Sequence, residues 1–101
     1  MELTKFTLFV GLNDKDSKLQ EISTVNAYKI VSNLITSDFG GGTISEATGI
    51  YKHDDGTIVT EITLRIELLF TTSEKVKQLV QDLKRVLNQE SIAVQKDVVN
   101  S

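Results

Sequence analysis

Four short stretches of this chain hold the residue types from which chemistry is usually built. Glu61, Arg65 and Glu67 stand at i, i+4 and i+6 in an alternating run, a spacing that puts all three on one face of a strand. An arginine there can grip a phosphate or carboxylate through two parallel N–H bonds, or be occupied by its two acidic neighbours. Gly40-Gly41-Gly42-Thr43 offers backbone N–H groups to a phosphate, but it lacks the Gly-Lys-Ser/Thr ending of a P-loop and leads into a strand. Its plainer role is a helix stop and hinge. Asn13-Asp14-Lys15-Asp16-Ser17 alternates oxygen ligands without the later glycine and bidentate glutamate of a calcium loop, so a solvated loop and no metal site are expected. His53 beside Asp54 and Asp55 combines the groups of an acid–base site. It lies in an Asp-Gly turn tip, which excludes no water, so a plain turn residue is expected.

What is missing narrows the field further. In 101 residues there is one His, and there is no Cys, Pro or Trp. Thiol nucleophiles, disulfides, thiolate zinc sites and iron–sulfur clusters are excluded. A Ser-His-Asp set has only His53 to draw on, so no catalytic residue is assigned and no cofactor is expected. Eleven Lys plus Arg against 14 Asp plus Glu leave a net charge of −3, which argues against a nucleic-acid partner. No long apolar run follows Met1, and none approaches the ~20 residues of a membrane span. A cytoplasmic protein without a membrane partner is expected, and its length suits one domain over residues 1–101.

The elements that must position these groups follow from apolar periodicity. Leu3 to Leu12 alternates with period 2 and reads as a strand; Phe9 makes its second face partly apolar, which suits a central position. Ser23 and Thr24 are N-cap residues for a helix whose Ala27, Tyr28, Val31, Leu34 and Ile35 share one face, with Phe39 as its last anchor. Thr43 to Lys52 and Thr57 to Phe70 read as strands flanking the His53–Gly56 turn. Thr71, Thr72 and Ser73 cap a second helix built on Val76, Leu79, Val80, Leu83, Val86 and Leu87, which Asn88 ends in the left-handed region. Ile92 to Val99 is a last edge strand, which Lys96 and Asp97 guard against stray pairing. The order β-α-β-β-α-β predicts a ferredoxin-like α+β fold, a four-stranded antiparallel sheet with two helices on one face and the other face open.

The register of the middle hairpin decides what that open face carries. Pairing Lys52 with Thr57 puts Ser45, Ala47, Gly49 and Tyr51 under the helices. Ile44, Glu46, Thr48 and Ile50 then lie on the open face beside Val59, Glu61, Thr63 and Arg65, with Phe9, Glu67 and Leu69; a slip of one residue inverts the assignment. Large apolar residues beside a few charges suit an oligomer contact. Ile44, Ile50, Val59, Glu67 and Leu69 are therefore the expected interface of a homo-oligomer.

Leu8-Phe9-Val10-Gly11-Leu12, Gly41-Gly42-Thr43, Gly49-Ile50-Tyr51, Asp55-Gly56-Thr57-Ile58 and Glu61 form a spaced series. It resembles a small uncharacterised domain family of bacteria and phages, which implies the ferredoxin-like fold and no activity. More distantly, the chain resembles phage anti-defence proteins, the Thoeris anti-defence sponges, which hold cyclic ADP-ribose signals between subunits without cleaving them. That resemblance implies a non-enzymatic binding protein for a small nucleotide-like ligand. In such a protein Arg65, Gly41, Gly42 and Thr43 would meet phosphate, Phe9 or Tyr51 would stack on a base, and Glu61 would line the same face. The alternatives are a protein–protein inhibitor presenting Glu61, Glu67, Asp54 and Asp55, and a small dimeric ferredoxin-like enzyme working through His53 or Glu61.

Overall fold

The computed structural model describes residues 1–100 and has the expected element order. The elements are β1 (Glu2–Gly11), α1 (Thr24–Phe39), β2 (Thr43–Lys52), β3 (Ile58–Leu68), α2 (Ser73–Val86) and β4 (Ala93–Asn100). The strands form one antiparallel sheet in the order β2-β3-β1-β4. Each helix begins where a hydroxyl can satisfy an orphan N–H. Ser23 Oγ accepts from the Asn26 N–H at 3.1 Å, and Thr72 Oγ1 accepts from the Lys75 N–H at 3.3 Å. Gly40 ends α1 with φ 75°, and Asn88 follows α2 with φ 49°.

Both helices lie on the same face of the sheet. Leu8 and Val10 of β1 and Leu64, Ile66 and Leu68 of β3 meet Val31 and Ile35 of α1 and Leu79 and Leu83 of α2 in one buried cluster. A fully buried side chain of this kind contributes about 1.5–3 kcal/mol, so the even-numbered face of β1 and β3 fixes how the sheet sits. No helix is long and apolar enough to cross a membrane among the described residues.

The register of β2 differs from the expected one by a single residue. His53, not Lys52, faces Thr57: the His53 N–H donates to the Thr57 carbonyl at 2.9 Å. Asp54-Asp55-Gly56 thus forms a three-residue loop, with Gly56 at φ 89° in the left-handed position that such a loop demands. The Asp55 carboxylate accepts the Thr57 N–H at 2.8 Å and braces the turn. Every pair on β2 shifts accordingly, with Tyr51 against Val59, Gly49 against Glu61 and Ile44 against Ile66.

Because side chains alternate, the shift exchanges the two faces of β2. Ile44 and Ile50 leave the open face for the helix side; Ile44 packs on the core, while Ile50 projects past the helices and stays 69% exposed. Ser45, Ala47, Gly49 and Tyr51, expected under the helices, line the open face beside Val59, Glu61 and Thr63. The alternation of β3 also ends early. Phe70 turns out of the strand with φ 56° and is exposed.

Candidate functional site

The open face divides into two clefts at opposite ends of the sheet. The first, about 430 Å³, is floored by Phe9, Gly11, Tyr51, Val59 and Glu61 and rimmed by the connections that follow β1 and α2. The second, about 420 Å³, is formed by Phe39, Gly40 to Thr43, Glu67, Leu69 and Phe70. Thr43 and Tyr51 stand eight positions apart on one strand, roughly 26 Å at strand rise, so one small molecule cannot touch both clefts within a protomer.

The first cleft is built around a carboxylate. Glu61 reaches across the sheet from β3 to the end of β1 and rests over Gly11. A Cβ at Gly11 would collide with the Glu61 carboxylate, so the glycine is the notch in which the acid sits. Glu61 Oε2 accepts the Asn13 N–H at 2.9 Å, directly beyond the strand. The Tyr51 phenol lies beside the same carboxylate and is electrostatically coupled to it. Gly49 makes room for that phenol, because a Cβ there would lie 3.0 Å from Tyr51 Oη and 3.1 Å from Thr63 Oγ1. Partial burial first, and then the hydrogen bond and negative charge of Glu61, hold the Tyr51 phenol above its ordinary pKa. Tyr51 is therefore a proton donor near neutral pH and no base.

The rim is held by an aspartate. Asp14 Oδ2 accepts the N–H groups of Asp16 and Ser17 at 2.9 and 3.0 Å, and Asp14 Oδ1 accepts from Asn88 Nδ2 at 2.8 Å. These bonds keep the Asp14 carboxyl below its usual range, the Asn88 bond contributing most. The Lys15 N–H also donates to the Asn88 carbonyl at 3.0 Å, so the loop after β1 is tied to the end of α2. The oxygen-rich stretch is a braced loop: no group of three or more His, Cys, Asp or Glu is placed to hold a metal among the described residues.

Arg65 stands between the clefts. Its guanidinium carbon lies 6.0 Å from the Phe9 ring centroid, and Nη2 is 3.4 Å from Glu67 Oε1, with Lys5 Nζ 3.9 Å from the same carboxyl group. Arg65 Nε is buried without an acceptor. The sequence-predicted set is thus divided. Phe9, Tyr51 and Glu61 share the first cleft with Val59; Gly41, Gly42 and Thr43 line the second with Glu67 and Leu69; Arg65 touches Phe9 on one side and Glu67 on the other. His53 is on the rim of the first cleft, at the outer end of β2. Asn13, Gly11 and Gly49 were not foreseen as site residues. Gly11 and Gly49 carry the available signal, a glycine within a strand pattern, which marks a close approach of another group.

A family model for a protein of unknown function, DUF3574, matches residues 5–100. No curated protein matches the chain. Among solved structures, a phage SAM lyase in complex with S-methyl-5′-thioadenosine is 22% identical, with TM-score 0.70 over 96% of this chain and 87% of that one. The divalent ion tolerance protein CutA1 from Ehrlichia chaffeensis is 15% identical, with TM-score 0.57 over 96% and 82% of the two chains. CutA from Synechococcus elongatus complexed with Bis-Tris is 12% identical, with TM-score 0.61 over 99% and 86%. At these identities the likeness is one of fold.

Proposed function

The chain belongs to the DUF3574 family, and from that premise we propose that it binds a small nucleoside-like molecule with a positively charged centre in the cleft over Gly11. The observation that carries this is the Glu61 carboxylate, seated in a glycine notch, held by the Asn13 N–H and placed beside the Tyr51 phenol at the cleft floor. An acid fixed in this way keeps acceptor capacity and negative charge turned toward a ligand without having to reorganise. Phe9, Val59 and the Tyr51 ring supply apolar surface for a flat or sulfur-bearing group. A sulfonium nucleoside such as S-adenosylmethionine has both features, and the phage SAM lyase of similar fold holds S-methyl-5′-thioadenosine.

A second reading keeps the nucleotide and adds its phosphate. It is favoured by Arg65, whose Nε is buried without an acceptor beside Phe9. A nucleotide lying along β1 would place its base against Glu61 and its anionic end at Arg65. In this form the protein sequesters a nucleotide-like signal and returns it unchanged.

Titration calorimetry with S-adenosylmethionine, S-methyl-5′-thioadenosine and ADP separates the readings. Binding of the sulfonium nucleoside, weakened tenfold or more by Glu61→Gln and little by Arg65→Ala, supports the first. Preference for ADP with the opposite mutational pattern supports the second. No heat with any of the three defeats both. Chromatography of the recovered ligand then distinguishes sequestration, which leaves it intact, from turnover.

A further inference from the structure

The outer edge of β2 carries a self-complementary pattern that the ligand site does not use. Strand β2 has β3 on one side only. The His53–Thr57 bond sets the phase of the ladder, and hydrogen-bonded pairs alternate along it. Odd-numbered residues of β2 therefore bond to β3, and the N–H and C=O groups of Ile44, Glu46, Thr48, Ile50 and Lys52 point outward. This edge is ten residues long and has no proline. The opposite edge, β4, carries Lys96 and Asp97 at its centre, the usual guard against pairing. The β2 edge sets its charges differently. Its two charges, Glu46 and Lys52, stand six positions apart, and neither enters an ion pair among the described residues.

We propose that two copies of this chain join β2 to β2 as antiparallel strands, about a two-fold axis through Gly49. That register sets Glu46 of each copy opposite Lys52 of the other, so both unpaired charges are neutralised twice over by one symmetry operation. The same even-to-even pairing satisfies the outward N–H and C=O groups of residues 46 to 52 and turns two four-stranded sheets into one of eight. The helix layers stay on one side of the joined sheet. There each copy's Ile50 and Ile58, 69% and 67% exposed, are carried toward the apolar groove of about 310 Å³ that Val25, Tyr28 and Ile44 form beside β2 in the other.

The pairing also bears on the cleft. In this register Tyr51 of one copy stands beside Ala47 of the second, so the second copy lengthens the floor outward from the phenol. The inference does not rest on what the cleft binds.

The test is the solution mass of the full chain by light scattering and native mass spectrometry. Wild type is expected at twice 11.2 kDa. Thr48→Pro removes an outward N–H without touching the bonds to β3, and it is expected to shift the dimer midpoint tenfold or more toward monomer. Glu46→Lys and Lys52→Glu are each expected to do the same, and the double exchange to restore the dimer; circular dichroism verifies that each variant is folded. A monomeric wild type, an assembly of three or more copies, a mass unmoved by Thr48→Pro, or a double exchange no better than its single parents would each overturn the proposal.

Discussion

The two clefts of the open face have almost the same volume and opposite construction. In the first, the glycines make room for functional groups: Gly11 for the Glu61 carboxylate and Gly49 for the Tyr51 phenol. In the second, the glycine makes room for the core. A Cβ at Gly42 would lie 2.8 Å from Leu68 Cδ2 and 3.1 Å from both Ile35 Cγ2 and the Glu67 carbonyl. Within the glycine run, Gly40 stops α1 and Gly42 lets the core close. A lone glycine in a strand proves the more informative signal.

This contrast can be broken by substitutions that exchange stability for site chemistry. The largest effect is expected from Gly42→Ala, whose methyl group must enter a filled core. Urea denaturation is expected to show a loss of about 1–3 kcal/mol, with ligand affinity unchanged. Gly11→Ala should do the reverse. The three atoms nearest its Cβ all belong to the movable end of Glu61, so the carboxylate is unseated. Affinity for a cationic nucleoside should fall at least tenfold, about 1.4 kcal/mol, with a smaller change in the denaturation midpoint. A Gly11→Ala protein that binds normally would return Glu61 to the status of an ordinary surface acid.

Tyr51→Phe comes next, with an expected loss of about 0.5 kcal/mol for a half-exposed polar contact. The phenol is held above its ordinary value near 10, so the native state keeps its proton where the unfolded chain releases it. That stabilisation is complete below the unfolded value and fades as pH rises through the native one. The variant should therefore lose the corresponding alkaline limb of the stability profile, and difference absorbance should lose one phenolate step. The smallest effect is expected at Asp14→Asn. The depressed Asp14 carboxyl stabilises the fold above its unfolded value, about 3.9, and ceases to as pH falls through its lower native value. Replacing it should flatten the acid limb of thermal stability measured across that window.

Periodicity made the fold legible before any coordinates. The steps of Val76, Leu79, Leu83 and Leu87, the alternation from Ile62 to Leu68, and the hydroxyls of Ser23 and Thr72 are local signals, and each forms the element it announces. What failed was a count of one. Asp54-Asp55-Gly56 closes as a three-residue loop, and nothing in the composition of that turn separates three residues from four. The error moved Ile44 and Ile50 to the helix side and brought Tyr51 to Glu61. Residue type makes Phe9, Tyr51 and Glu61 the expected ligand contacts, and the fold gathers these three in one cleft. The geometry of that cleft was not legible, because the Asn13 N–H and the Gly11 notch lie about 50 positions from Glu61 in sequence, and only the pairing of β1 with β3 brings them together.

The sheet order carries a consequence for the sequence of events in folding. The hairpin of β2 and β3 is local and closes at little entropic cost, whereas β4 must return to β1 across nearly the whole chain, with Glu2 opposite Asn100. The segment that delivers β4 includes Gln89, Glu90 and Ser91, one wall of the cleft over Gly11. A chain with three strands assembled therefore has Glu61 in place but no enclosed site. Ligand would engage only the finished sheet, and by mass action would stabilise the completed fold against its partly assembled precursors.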